Sequence, residues 1–262
     1  MRRRAAKYVL FNFCYVGVLP GVGYYLIFVN VSWQKGCIKI FGVSAEIFVA
    51  AIFAMLEPIK HILKSQKIVL ASSSPRRKEI LSSVGLPFEV CVSRYEEDLD
   101  PGNYKCPGDF VVATATNKVQ EVLGRLRAEE SGQPDLVIGA DTIVALGGDV
   151  LGKPGSSQRA VEMLQRLSGR PHTVYTGVVL HTRSQCVTFF ESTEVYVDKL
   201  SSEMIKAYVD TGEPLDKAGA YGIQGLGGSL IEKIEGDYYN VMGLPLHAVC
   251  KHIVKLYRDK LL

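Results

Sequence analysis

Apolar positions along the chain fall into three patterns. Two long apolar runs, residues 8–31 and 38–55, follow the basic start MRRR; beyond Ile68, short apolar blocks alternate with stretches carrying an apolar residue every third or fourth position. The blocks predict strands at 68–71, 88–93, 136–146 and 230–234, with 173–181 and 188–198 as an antiparallel pair. The spaced stretches predict helices. One begins at Pro75, buries Ile80, Leu81 and Val84, and stops before Gly85. A second starts at Asp109 as N-cap and turns Val112, Ala115, Val119, Val122 and Leu126 inward, with Lys118 at the edge of that face. A third begins at Ser157, burying Ala160, Met163, Leu164 and Leu167 ahead of Gly169. A fourth spans 202–210 with Ile205, Tyr208 and Val209 inward, and a last one buries Val249, Ile253 and Leu256. Alternation of strand and helix over this length predicts an α/β or mixed α+β domain.

The first 54 residues differ in kind. Their apolar runs read as a membrane anchor or hairpin, interrupted by Asn12, Pro20, Gly21, Gly23 and Asn30 in the first and by Lys39 and Glu46 in the second. The competing reading is a gene-prediction artefact, with the functional chain starting at Met55. A secretory signal fits less well, because the first run is long for one and lacks a clear cleavage site.

Composition narrows the function. A net charge of +3 over 262 residues, with no long basic stripe, argues against a nucleic-acid binder and suits a small anionic ligand. Six scattered cysteines, with no C-x-x-C pair, suggest a reducing, cytoplasmic setting; membrane association enters only through residues 1–54.

Three stretches carry chemistry. In 67–85, KIVLASSSPRRKEILSSVG, Arg76, Arg77 and Lys78 crowd a helix start, where the dipole disfavours cations. Serine hydroxyls, backbone N–H groups and guanidiniums there form a phosphate cradle. The plainer alternative is a solvated basic turn behind a serine cap. In 136–146, LVIGADTIVAL, Asp141 interrupts an apolar run and must be paired, hydrogen-bonded or metal-bound. Its plainer reading is a structural cap on a neighbouring loop. The residues Gly147 to Lys153 match a P-loop, but Pro154 replaces the hydroxyl that binds magnesium, and Gly147-Gly148 fits a hairpin; only Lys153 survives as a phosphate ligand. In 213–228, EPLDKAGAYGIQGLGG, glycine density with Asp216, Lys217, Tyr221 and Gln224 fits close approach of backbone to a ligand, or equally a surface loop. No nucleophile motif accompanies the histidines, and no dinucleotide fingerprint follows a strand. Arg76, Arg77, Lys118 and Lys153, with Asp141 and Glu96 as magnesium-type carboxylates, suit metal-assisted attack of water on a phosphate.

Together, SSSPRRKEIL, GADTIV with LGKP, LSGRPHTVYTGV, and EPLDKAGAYGIQG with GDYYNVMGLPL resemble the Maf family of nucleoside triphosphate pyrophosphatases over 67–257. The resemblance is strongest to the vertebrate branch in which a Maf domain is joined to a methyltransferase-like domain, and MLEPIKHILKSQKIVL is similar to that domain's start, favouring Met55 as initiator. It implies a Maf-like, inosine triphosphatase-like fold: an elongated mixed sheet flanked by helices, in two lobes with a central cleft, over 67–258.

The resemblance also implies a house-cleaning hydrolysis between the α and β phosphates with Mg2+ or Mn2+. Matched by position, Asp141 is the catalytic acid residue and a metal ligand, Lys118 and Lys153 complete the catalytic set, Ser72 and Arg77 contact phosphate, and Glu96 lies near the metal. Arg76, Thr142 and Gln224 match the branch selective for dTTP and UTP. The glutamine has a chemical basis, since its amide can both donate to and accept from a uracil or thymine edge. Val119 stands where the family usually has alanine, with a slight helix shift expected. The expected partner is a small nucleotide; a homodimer is allowed. A silent nucleotide-binding regulatory module is the competing class.

Overall fold

The structure, a computed structural model, describes residues 9–19, 23–34, 37–46, 55–129 and 132–262, the first three ranges by backbone only. It divides into two compact units, Met1–Phe53 and Ala54–Leu262. In the first, β1 (Val9–Leu19), β2 (Gly23–Gln34) and β3 (Cys37–Glu46) form an antiparallel meander. The described parts of the two apolar runs thus lie in strands, and no helix among the described residues is long and apolar enough to cross a membrane.

The second unit opens with a 3-10 turn and the short α1 (Lys60–Leu63), whose Leu56, Ile59 and Leu63 are buried in a core. The domain therefore packs from a few residues before Lys67. There follow β4 (Ile68–Leu70), α2 (Pro75–Ser83), β5 (Glu89–Val90), α3 (Pro107–Ala128), β6 (Leu136–Leu146), β7 (Asp149–Leu151) and α4 (Ser157–Leu167). The chain continues through β8 (Pro171–Thr182), β9 (Cys186–Val197), α5 (Ser202–Asp210), a run of 3-10 turns, β10 (Ile231–Glu235), α6 (Tyr238–Met242) and α7 (Leu246–Arg258).

These strands form a mixed sheet of order β10-β9-β8-β6-β4-β5, in which β6 pairs parallel with β4 and antiparallel with β8. Gly147 and Gly148, both at positive φ, turn β6 back into β7, so this stretch is the hairpin expected in place of a P-loop. The consequence is a gap: β4 pairs with residues 136–138 of β6 and β7 with 144–146, leaving the segment between them without a strand partner on that side.

Alternation along β6 and β8 sends successive residues to opposite faces. On one face Ile138, Ala140, Val178 and Leu180 join α2 and α7 in a first core, while Val144 and Val174 join α4 and α5 in a second. Thr142 and Thr176, paired across the strands, lie between the two and separate them. That division gives the two lobes. The opposite face carries Val137 and Val179 under α3.

Close packing of α3 depends on two glycines. A Cβ at Gly177 would come within 2.5 Å of the Val111 and Val112 backbone, and one at Gly139 would collide with Val119 Cγ2. The extra bulk of Val119 is thus seated in the space that Gly139 leaves open. Three local expectations differ from the structure. Helix α3 starts at Pro107 with Asp109 inside its first turn; β5 keeps only two residues; and Asp237 caps a short helix, α6, where only a turn was expected.

Candidate active site

The gap beside β6 opens into a cavity of about 560 Å3 between the lobes. Its walls contain Ser72, Arg76, Arg77, Lys118, Asp141, Thr142, Lys153 and Gln224, which is every residue matched by resemblance to a catalytic, binding or metal position except Glu96. Glu96 is exposed and outside the lining, whereas Glu97 is part of it.

Asp141 projects from β6 toward α3 and is only 8% exposed. Lys118 Nζ donates to Asp141 Oδ1 at 2.7 Å and also pairs with Glu97 Oε1 at 2.6 Å. Asp141 is therefore no loop cap, since its partner is the ammonium of a neighbouring helix. The acidic loop reaches this ammonium because it is clamped to α3: Asn117 Nδ2 donates to the Tyr95 hydroxyl at 3.0 Å, and the Arg94 N–H donates to Glu121 at 2.8 Å. Lys118 was expected to sit at a face boundary, and that position is what lets it cross from the helix to the strand.

Ser74 caps α2, its hydroxyl accepting from the Arg77 N–H, and Arg77 folds back under the serine turn. Arg77 Nη1 donates to Ser72 Oγ at 3.1 Å, Nη2 to Thr142 Oγ1 at 2.9 Å, and Nε to the Gly243 carbonyl at 2.7 Å. All three acceptors are neutral. Burial lowers the guanidinium's pKa, the field of Asp141 opposes that, and Arg76 adds to it; an arginine stays charged throughout. The result is a rigidly held cation with no carboxylate in ion-pairing range among the described residues, suited to an incoming anion.

Lys153, exposed on the cavity wall after β7, likewise makes no ion pair among the described residues. Arg76 is less free. Its Nη1 lies 3.2 Å from Asp216 Oδ2, and Asp216 also accepts from Lys217 Nζ at 2.7 Å. Lys217, Asp216 and Tyr221 line the cavity with Gln224, so the glycine-rich stretch is a wall of the site. Behind it, His172 Nε2 lies 2.7 Å from the Tyr221 hydroxyl, and burial pushes the imidazole pKa from 6.5 down to about 4.

Sequence reasoning missed Thr176. Its hydroxyl donates to the Asn240 carbonyl at 2.9 Å and stands 3.0 Å from Thr142 Oγ1. With the Thr176 hydrogen on the Asn240 carbonyl, Thr142 directs its own to Thr176 Oγ1 or to the Gly243 carbonyl at 3.4 Å, and accepts from Arg77. Thr142 thus acts as a clamp on the buried arginine, in addition to any contact with a base.

A sequence profile of the family described as Maf-like protein matches residues 67–256. The chain belongs to the Maf family. The chain is 48% identical over 211 residues to a human protein named as a probable bifunctional dTTP/UTP pyrophosphatase/methyltransferase, a match spanning 78% of this chain and 34% of that protein, so about a third of the relative's length is represented. It is 47% identical over 194 residues to the dTTP/UTP pyrophosphatase of Bacillus cereus strain AH820, covering 74% of this chain and 97% of that one. Among solved structures, the Staphylococcus aureus Ham1 protein is similar at 14% identity and a TM-score of 0.39, covering 74% of this chain and 99% of that one.

The donor set of the Maf domain fits a hard cation. Two carboxylates, Asp141 and Glu97, meet at one ammonium on the cavity wall. No cluster of three or more potential ligand side chains occurs among the described residues. Magnesium and manganese sites of this type use one or two carboxylates and complete their shell with water and substrate phosphate, whereas a closed protein cage would need more.

Proposed function

We propose that the unit Ala54–Leu262 is a pyrophosphatase that hydrolyses dTTP, UTP and modified pyrimidine nucleotides to the monophosphate and pyrophosphate. The observation carrying this reading is the convergence of Asp141, Lys118, the fixed cation of Arg77 and the Lys153 ammonium on one cavity. Likeness to proteins named as dTTP/UTP pyrophosphatases supports the substrate class.

In this reading Arg77, Ser72 and Lys153 hold the triphosphate, and Asp141 orients a water and accepts its proton as the oxygen adds to the α-phosphorus. The bond from that phosphorus to the α–β bridging oxygen breaks, and the electron pair leaves with pyrophosphate. Lys118, beside Asp141, places positive charge next to the developing negative charge. A divalent cation, when held by Asp141 with Glu97 or Glu96 nearby, supplies charge neutralisation on the phosphates. Gln224 and Arg76, both on the cavity lining, read the base in this proposal, the amide matching the imide edge of uracil or thymine.

Purified full-length protein with magnesium is expected to release pyrophosphate from dTTP and UTP, and Asp141→Asn to lower turnover by about a thousandfold or more. Orthophosphate as the first product would overturn the assigned bond cleavage; nucleotide binding without turnover would favour the silent module.

A further inference from the structure

The loop that carries Gln224 is wrapped around a carboxylate that does not line the cavity. Glu213 accepts from the Tyr208 hydroxyl at 2.9 Å, the Leu226 N–H at 2.9 Å and the Gly227 N–H at 3.0 Å. The Tyr208 oxygen in turn accepts from the Gly222 N–H at 3.0 Å. Residues on both sides of Gln224 are therefore tied to one Tyr–Glu pair.

The glycines follow from this closeness. A Cβ at Gly225 would lie 2.5 Å from Glu213 Oε2, and one at Gly227 would strike the Tyr208 hydroxyl. Burial opposes ionisation of Glu213, but the Gly227 and Leu226 N–H groups and the Tyr208 hydroxyl outweigh it and hold the carboxyl below its ordinary value. Glu213 is thus the charged acceptor of this loop, and the Tyr208 hydroxyl, neutral, relays to it from the Gly222 N–H. Gln224, by contrast, is exposed and makes no hydrogen bond to other described residues, so the backbone sets where its amide stands.

We infer that Glu213 and Tyr208 form the positioning device for base discrimination, fixing the loop backbone so that Gln224 meets the pyrimidine edge in one register. This rests on the reading that Gln224 recognises the base. A residue acting this way changes the preference among nucleotides and leaves the chemical step alone.

The test compares Tyr208→Phe, Glu213→Gln and Gln224→Ala in the full-length protein, with kcat and KM measured for UTP and GTP and folding checked by thermal melting. Tyr208→Phe keeps the ring in the core and removes only the hydroxyl; Glu213→Gln serves if that variant folds poorly. The expected result is a KM for UTP raised about tenfold with kcat little changed, and a UTP-to-GTP ratio of kcat/KM reduced by a similar factor, as in Gln224→Ala. If Gln224→Ala lowers the ratio while the other two variants leave it intact, or lower activity equally on both nucleotides, the positioning role is overturned and base reading stands. If Gln224→Ala leaves the ratio unchanged, the base-reading assignment falls and the positioning role with it.

Discussion

Arg77 Nη2 donates to Thr142 Oγ1 at 2.9 Å across 65 residues of sequence, joining the helix that begins at the serine turn to the strand that holds Asp141. Because Thr142 has Thr176 Oγ1 and the Gly243 carbonyl as acceptors for its own hydrogen, its lone pairs are oriented in advance and the guanidinium is fixed before any anion arrives. Thr142→Val keeps the shape but leaves a buried N–H unpaired. It is expected to destabilise the protein by about 1–3 kcal/mol, read as a lower urea midpoint with an unchanged slope. Equal midpoints would show that Arg77 finds another acceptor.

The two neighbouring glutamates make opposite predictions for the metal. Glu97 shares the Lys118 ammonium with Asp141, whereas Glu96 is exposed and not part of the cavity lining. Glu97→Gln should raise the magnesium concentration for half-maximal activity by about tenfold, with Glu96→Gln close to wild type. A titration showing the reverse order returns the metal contact to Glu96, the position matched by resemblance.

Gly139 and Val119 form a contact that only one of them can enlarge. Gly139→Ala drives a methyl into Val119 Cγ2 and is expected to cost about 1–3 kcal/mol. Adding Val119→Ala should recover much of that loss, and a double-mutant cycle measures the coupling. Independent, additive effects would contradict the packing described.

His172 should make the protein acid-sensitive. Its folded pKa is depressed from 6.5 to about 4 by burial, so the unfolded chain takes up the proton first. The stability associated with neutral His172 is complete above pH 6.5, declines as pH falls below it, and is lost by about pH 4. The gap corresponds to about 3 kcal/mol. Melting temperatures of wild type and His172→Gln, compared from pH 7.5 to 4, should converge as the pH falls. A constant difference across the range would contradict a buried neutral imidazole.

Strand β6 and helix α5 were legible because their patterns are nearly pure: an unbroken apolar run with one carboxylate, and Ile205, Tyr208 and Val209 at helical spacing. The cations of the site were legible for a related reason, since charge placed against a helix dipole or beside an apolar strand has to be explained. What stayed hidden depends on distant partners. Both Pro107 and Asp109 are helix-start signals, and local sequence does not choose between them. Five residues of α6 are too few to show a period. In the acidic loop nothing periodic tells Glu96 from Glu97; the Tyr95–Asn117 and Arg94–Glu121 contacts hold the loop so that Glu97 meets the Lys118 ammonium. Thr176 is an ordinary strand threonine until the register sets it opposite Thr142.

The unpartnered stretch of β6 has a further consequence. Strand edges are where sheets recruit foreign chains, and proteins normally protect them with charge, bulges or short length. Here the break in pairing is internal, bounded by β4 and β7, and it opens on a cavity lined by Arg77, Asp141 and Lys153. The protein thus has a polar opening in the middle of its largest sheet without presenting that opening as a surface edge on which another chain could aggregate.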